Sequence, residues 1–404
     1  MASKNKKESS NQFRADEIDQ LIEQYLTSSG EDQKAIHEKI EAFGVEGIQK
    51  IVDKITLESP RQYYFHDLHQ FFENGGEKML APLLAVMNTD DRDTRTTCIE
   101  ALGEIGPVSM PILFQLIKDD DKIIRRYAAW SLAHLGEPAL DQIIKGLSDR
   151  SHKIRVESAV AIGNVHDVEM ARRAIPVLIS NLQDKNGQVR RQTIWALGKI
   201  GNLEEIEAII PFLNDNIAFV RASAAEVLSK QKTERFREAL IEALQDPNWK
   251  VRYYAADGLW TRDRAIDPDD VLKLLKALWH EEQRKVVELL LWCLDKVWQD
   301  TPEILLEDLH HEDGDIRAAS ALIISRDPRS ECFDALVNAL DDSNYNVRKF
   351  ALRALAGIRE IRTLKPAIKM LRDDDMEVVE EAINALEQIS KKLPDLGSGK
   401  ITQI

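Results

Sequence analysis

A unit of about 31 residues recurs along most of this 404-residue chain, and this periodicity restricts the fold more than any other feature. Each unit is marked by an arginine that follows a hydrophobic residue and precedes small residues, although valine replaces the arginine twice. Successive marks are 30 or 31 residues apart, except for two spacings of 35. The marks are Arg95, Arg125, Arg155, Arg190, Arg221, Arg252, Val287, Arg317, Arg348 and Val379.

Each unit contains two amphipathic segments separated by a short acidic turn, which predicts helix, turn, helix. An aspartate stands six residues before the arginine in most units. A carboxylate there can accept backbone N–H groups near a helix N-terminus, or pair with the arginine of its own or a neighbouring unit. We therefore predict that these residues form a structural ladder rather than a binding site. The aspartates are Asp119, Asp149, Asp184, Asp215, Asp246, Asp342 and Asp373.

Stacked helix pairs bury a continuous core, so the repeats predict an all-α fold, a right-handed α-solenoid of about twelve helix pairs. Residues 14–79 contain two looser units, which we interpret as divergent N-terminal capping repeats, and residues 80–390 form the repeat array. Residues 1–13 and 391–404 lack periodicity, and we expect a disordered N-terminal tail and a flexible C-terminal tail.

The repeated pattern, D-x-x-x-x-[VI]-R-x-x-[AS]-A-x-A-[LI]-G with variations, covers roughly residues 80–390. It resembles HEAT repeats, specifically the short HEAT-like kind called PBS-lyase repeats after the phycobilin lyases. The resemblance implies an armadillo-like helical solenoid in which the second helix of each pair lines the concave side. Its implications for function are weak, because such solenoids also serve as scaffolds and adaptors.

The arginine-bearing helix has an apolar face that includes the position four residues after the arginine. The next position lies about 140° around the helix from the arginine, nearly opposite that face. Half of its residues are polar or charged, which a buried position does not tolerate. We therefore predict that the tryptophans of this column project into the concave groove. The column reads Glu100, Trp130, Val160, Trp195, Glu226, Asp257, Trp292, Leu322, Arg353 and Asn384.

Arginine and aromatic residues flank these tryptophans. Arg126 precedes Trp130 by four residues, and Arg191 precedes Trp195 by four, so each pair can form a cation–π contact. Trp, Tyr and Arg are enriched at binding hot spots. The alternative is that the rings pack on neighbouring repeats or a loop. The predicted groove residues are Arg126, Tyr127, Trp130, Arg191, Trp195, Tyr253 and Tyr254.

The segment KVVELLLWCLDKVW, residues 285–298, is apolar nearly all round, which indicates a helix covered on more than one side. One interpretation is packing against the insertion at residues 261–270. The other is a second partner or dimer patch containing Trp292 and Trp298.

Sequence motifs for catalysis are missing: no Gly-rich phosphate loop, G-x-S-x-G elbow or H-E-x-x-H motif occurs. Three scattered cysteines make neither a disulfide framework nor a metal cage. His66 and His69 share a helix face, but two histidines are too few for a metal site. The HEAT-repeat deoxyhypusine hydroxylase holds iron through His-Glu pairs, and only His37–Glu38 is in register with that pattern. We expect no catalytic residue, metal or cofactor.

The chain has 69 acidic and 54 basic residues, and a net charge of −15 argues against a nucleic-acid partner. No apolar run is long enough for a membrane span and no secretory signal is evident, so we expect a cytoplasmic protein. Our leading hypothesis is a non-enzymatic scaffold that binds a protein partner in the groove. The alternative is a phycobilin lyase or related chromophore-handling protein, with Arg126 and Arg191 on the bilin propionates and the aromatic rings on its face.

Overall fold

The computed structural model of the chain describes residues 2–58, 65–260 and 268–391. Every regular element in these residues is helical and no strand occurs among them, so the predicted all-α class is confirmed. The chain divides into two compact units, Met1–Ile209 and Ile210–Ile404.

The first unit consists of six helix pairs with one extra short helix before the last pair and one after it. Short 3-10 helices at Gly76–Met79, Pro107–Ser109 and Arg172–Ala174 lead into α5, α7 and α12. The helices are α1 (Ala2–Thr27), α2 (Gly30–Glu41), α3 (Val45–Glu58), α4 (Phe65–Gly75), α5 (Leu80–Met87), α6 (Arg92–Ile105), α7 (Met110–Leu116), α8 (Lys122–His134), α9 (Glu137–Gly146), α10 (His152–Asn164), α11 (Val168–Ala171), α12 (Ile175–Asn181), α13 (Gly187–Ile200) and α14 (Leu203–Glu207).

The second unit also contains six pairs, the first of which begins with a 3-10 helix at Ile210–Asn214. Further 3-10 turns lie at Glu234–Phe236, Ser330–Cys332 and Ile361–Thr363. The predicted number of about twelve pairs is therefore confirmed. The helices are α15 (Ala218–Lys230), α16 (Arg237–Ala243), α17 (Trp249–Leu259), α18 (Pro268–Trp279), α19 (Arg284–Asp300), α20 (Pro302–Asp308), α21 (Gly314–Arg326), α22 (Phe333–Ala339), α23 (Tyr345–Ile358), α24 (Leu364–Met370) and α25 (Met376–Ser390).

The arginine-bearing helices stack on one another within each unit. In the first unit α6 packs on α8, α8 on α10 and α10 on α13; in the second, α21 packs on α23 and α23 on α25. The predicted apolar column is fully buried in most repeats. Leu291 is partly exposed, and Ile383 is 46% exposed because no described helix covers that side of α25. The fully buried members are Ile99, Ala129, Ala159, Ile194, Ala225, Ala256, Ala321 and Leu352.

In several repeats the arginine joins two successive turns. Arg155 Nη1 donates a hydrogen bond of 2.8 Å to the carbonyl of Asp149 in its own turn. Its Nε and Nη2 donate to the two carboxylate oxygens of Asp184 in the next turn, at 2.7 and 3.0 Å. In the second unit, Arg317 and Arg348 make the same contacts to Asp342 and Asp373. The planar guanidinium matches the carboxylate in two parallel bonds, so the predicted ladder links neighbouring repeats.

The aspartate also prepares the start of the following helix. Asp184 Oδ1 accepts a hydrogen bond of 2.8 Å from the backbone N–H of Asn186, and the Asn186 side chain then caps α13 by accepting from Gln188 N at 2.9 Å. The aspartate therefore lies two residues before the N-cap, and it positions the capping residue rather than the helix itself. One side chain thus orders the turn, the cap and the contact with the preceding repeat.

The N-terminal boundary differs from the prediction. Helix α1 runs without a break from Ala2 to Thr27, so residues 2–13 belong to a helix and not to a disordered tail. The sequence has neither proline nor glycine before Gly30, so no strong helix breaker stops the helix from extending. Residues 261–267 of the insertion, and all of the predicted C-terminal tail after Lys391, lie outside the described residues.

The ladder predicts a specific loss of stability for Asp184→Asn. Burial raises the pKa of Asp184, but hydrogen bonds from Arg155 and from the Asn186 backbone outweigh it, so the pKa lies below its usual value. The variant leaves the guanidinium without a charged partner, and we expect the free energy of unfolding at pH 7 to fall by about 1–3 kcal/mol. A depressed carboxyl pKa stabilises only above the unfolded pKa of about 3.9, so the difference from wild type should shrink as pH falls below that value.

Urea denaturation at several pH values measures this effect. The control is Asp141→Asn, which removes the same charge from a side chain that is 81% exposed and pairs with Arg173 at the surface. We expect little change for the control, because exposed ion pairs contribute little. Equal stability of the two variants would show that the ladder is not a significant source of stability.

Candidate functional site

The predicted groove residues of the first unit lie on the stacked helices α8 and α13. Trp130 is 44% exposed, and Trp195 is partly exposed. The column that contains them is accessible in the other repeats as well, except at Val160, which is 1% exposed. The expectation of a solvent-facing position is therefore wrong for Val160. Gly163, one helical turn later, lies beneath the ring of Trp195, so this part of α10 is covered by the next repeat.

Trp130 and Tyr127 form an aromatic pair on α8. Their ring centroids are 5.2 Å apart and the planes are inclined at 57°. The neighbouring helix α6 is held close by a hydrogen bond of 2.8 Å from Ser131 Oγ to the carbonyl of Ile99. Glu100 follows Ile99 on α6, and its charge acts on the Tyr127 hydroxyl, so the carboxylate lies near the aromatic pair. Burial raises the pKa of the Tyr127 hydroxyl, and the charge of Glu100 raises it further.

Arg126 does not stack on Trp130, which corrects the predicted cation–π contact. Its Nε donates a hydrogen bond of 3.0 Å to Glu157, a carboxylate that is only 1% exposed. Burial raises the pKa of Glu157 even though Arg126 and Arg125 lie beside it. A buried carboxylate needs a compensating cation, and this need decides where the guanidinium lies. The charge of Arg126 is therefore committed within the protein.

The second predicted stack is also different. Arg191 is exposed, and the cation over the Trp195 ring is Lys199, whose Nζ lies 5.9 Å from the ring centroid. The ring itself closes on Gly163, where a larger side chain would collide with it. Trp195 thus serves partly as a packing residue between repeats, which is the alternative that the sequence left open.

Tyr253 and Tyr254 belong to the second unit, on α17. Their rings are 5.4 Å apart in an edge-to-face arrangement, and both are partly exposed. Burial raises the pKa of Tyr254, and the charge of Glu226 adds to the increase. The predicted groove residues consequently form two sets, one on each unit.

Of the two tryptophans predicted for the second patch, Trp298 is buried and only Trp292 is exposed. Trp298 is 1% exposed, and its Nε1 donates a hydrogen bond of 2.8 Å to the carbonyl of Asp327. The Arg329 guanidinium lies 4.8 Å from the centroid of the Trp298 ring. Trp298 is a core residue. Trp292 is 51% exposed and borders a cleft of about 550 Å³ with Trp260. The two tryptophans are six positions apart, and at 100° per residue this spacing places them on different faces of α19.

Sequence reasoning missed a cluster of titratable groups beside the aromatic pair. Glu104 Oε1 lies 3.3 Å from His69 Nδ1, and Oε2 lies 3.4 Å from His134 Nε2. Hydrogen bonding to His69 is the main reason why the pKa of Glu104 is lowered. The helical register alone could have suggested Glu104, four residues after Glu100 on α6, but not its contact with His69 from α4.

The described residues contain no group of three or more His, Cys, Asp or Glu side chains arranged to hold a metal ion. His37, of the His37–Glu38 pair, is buried and stacks on Phe71 with ring centroids 4.1 Å apart. The side chain of His66 lies outside the described residues.

The sequence profile of HEAT repeats matches this chain in six overlapping segments between residues 80 and 387. The chain belongs to the HEAT-repeat family. No curated protein matches it. In the part of the chain that the structure describes, no helix has the length and apolar character needed to cross a bilayer. The matched segments are residues 80–163, 110–179, 140–229, 175–260, 237–325 and 302–387.

Solved structures of karyopherins resemble this HEAT-repeat chain. Kap121p bound to Pho4p matches with a TM-score of 0.55 and 12% identity over 93% of this chain and 45% of that one. Kap121p matches with a TM-score of 0.50 and 12% identity over 92% of this chain and 48% of that one. Importin beta matches with a TM-score of 0.48 and 14% identity over 96% of this chain and 56% of that one. This chain thus spans about half the length of each. At this identity the similarity concerns the fold alone.

The two tryptophans of α19 provide a direct test of which aromatic residues are structural. Trp298→Ala should lower the free energy of unfolding by about 3–5 kcal/mol, because it removes a buried ring and leaves a cavity. Trp292→Ala on the same helix should change it by less than about 1 kcal/mol. Urea denaturation followed by circular dichroism measures both, and a larger loss for Trp292→Ala would contradict the assignment.

Proposed function

We propose that this HEAT-repeat chain is a non-enzymatic scaffold that binds a protein segment across the arginine-bearing helices of its first unit. The observation that carries the proposal is the aromatic pair Tyr127 and Trp130. Nearly half of the Trp130 ring surface is open to solvent although the helices on which it stands are otherwise well packed. A large exposed ring on a rigid surface is the usual anchor of a protein interface.

Rigidity of the surrounding repeats supports this role. Arg155 ties its turn to the next through Asp184, and Ser131 bonds α8 to α6. A preorganised surface loses little conformational entropy when a partner binds, so more of the contact energy remains as affinity. The fold is compatible with such a role, since Kap121p, a chain of similar fold, has been solved bound to Pho4p.

The arrangement favours a protein partner over a bilin. A bilin would need two free arginines for its propionates, and of the two predicted ones Arg126 is already neutralised by Glu157, which leaves Arg191 alone exposed. Glu100 and Glu104 add negative charge beside the aromatic pair, which would repel carboxylates. We place this role in the cytoplasm, because Cys98, Cys293 and Cys332 are buried free thiols that suit a reducing compartment.

Affinity capture followed by titration of each purified candidate partner tests the scaffold role. Trp130→Ala should weaken binding about thirtyfold or more, as expected for an anchor worth about 2 kcal/mol. The variant should unfold at nearly the wild-type urea concentration, because the ring is not part of the core.

Val168→Ala is the matched control, since Val168 is 44% exposed on α11, outside the aromatic pair. The control should retain wild-type affinity. If every captured partner binds Trp130→Ala and wild type equally well, the proposed surface is wrong.

A further inference from the structure

We propose that Tyr127, Trp130 and Glu100 form a subsite for a cationic side chain, a lysine or arginine of the bound segment. This inference rests on the proposed function and names the chemistry of the partner at that surface. The three residues come from adjacent repeats, and they are brought together by the packing of α8 on α6.

The aromatic part of the subsite offers two ring surfaces. The planes of Tyr127 and Trp130 are inclined at 57° with centroids 5.2 Å apart, so they form an open corner rather than a closed stack. Cations bind over the faces of Trp and Tyr rings, and the attraction increases when the site is partly shielded from water. Trp130 has no cation over its ring among the described residues. Trp195, by contrast, already has Lys199 at 5.9 Å.

The carboxylate of Glu100 supplies the negative charge. Two neighbouring carboxylates have partners, since Glu157 accepts from Arg126 and Glu104 lies between His69 and His134, whereas Asp93, whose charge also acts on Tyr127, is exposed at the surface. Glu100 makes no hydrogen bond or ion pair with any residue that the structure describes, although it is only partly exposed. Burial raises its pKa, the charge of the nearby His69 lowers it in part, and the charge of Glu104 raises it further. A cation placed beside Glu100 would relieve this cost of burying a negative charge.

Charge also selects among possible occupants. Arg126 donates its Nε–H to Glu157, and no arginine or lysine among the described residues lies over the two rings to attract an anion. An acidic or phosphorylated segment would therefore meet the negative charge of Glu100 with no arginine or lysine beside it to offset the repulsion. An apolar segment would cover Glu100 and desolvate it further, which is unfavourable for a carboxylate. A lysine or arginine is the side chain that satisfies both the rings and the carboxylate.

Capped glycine–serine pentapeptides that differ only in a central lysine, glutamine or glutamate test the subsite on the full chain. Binding is followed by the chemical shift of the Trp130 indole N–H, assigned with Trp130→Phe. We expect millimolar binding of the lysine peptide, with the dissociation constant for the glutamine peptide about fivefold higher or more. The glutamate peptide should not bind.

Two variants separate the parts of the subsite. Glu100→Gln should raise the dissociation constant of the lysine peptide about fivefold or more while leaving the urea midpoint near wild type. Asp141→Asn removes the same charge from α9 and controls for the overall electrostatic field, so it should leave the affinity unchanged. Trp130→Ala should abolish the binding, which for this variant is followed by saturation transfer to the peptide because the indole reporter is gone.

Equal binding of the lysine and glutamine peptides, preference for glutamate, or no binding of any of them would overturn the cationic subsite. The same holds if Glu100→Gln and Asp141→Asn have equal effects. If a purified protein partner still depends on Trp130 in that case, the scaffold role stands with a different occupant. If the lysine peptide binds as expected but no protein partner depends on Trp130, the scaffold role is wrong and the subsite remains.

Discussion

The two-sided contact of the repeat arginine is the interaction on which the rest of the structure depends. One edge of the guanidinium bonds the carbonyl of its own turn, and the other holds the carboxylate of the next turn in two parallel bonds. The same carboxylate binds the backbone before the next helix. Since a helical repeat contacts mainly its neighbours, a recurrent bridge between turns sets the spacing and orientation of each successive pair.

Regular stacking of the arginine-bearing helices leaves the face opposite their buried column free to carry different side chains in each repeat. Where a carboxylate becomes buried, as Glu157 does, a local arginine compensates it, and that arginine is no longer available to a ligand. Where a ring lies over a glycine, as Trp195 does over Gly163, it becomes part of the packing. The pair Tyr127 and Trp130, with Glu100 beside it, escapes both outcomes. We therefore propose this place as the binding surface of the first unit.

The prediction succeeded where a property repeats and failed where it depends on a single neighbour. The helix pairs, the buried column from Ile99 to Leu352 and the Arg–Asp ladder all follow from periodicity, because each repeat confirms the others. The stacks expected for Arg126 and Arg191 failed, because i,i+4 spacing allows a contact without excluding a better one in the adjacent repeat. Trp298 was misplaced because an almost wholly apolar helix does not reveal from its sequence which side is covered.

The amino-acid sequence by itself determined the all-α class, the period, the helix pairs and the residues of the structural ladder. Each of these follows from a pattern that recurs many times at nearly the same spacing. Only the tertiary structure decided which aromatic rings remain open and which charges remain uncompensated. Those properties depend on residues about 30 positions apart, such as Glu157 beside Arg126 and Gly163 beneath Trp195. Such contacts arise from the packing of one helix on the next, where burial and the need to pair buried charge select one rotamer among several that the local sequence allows.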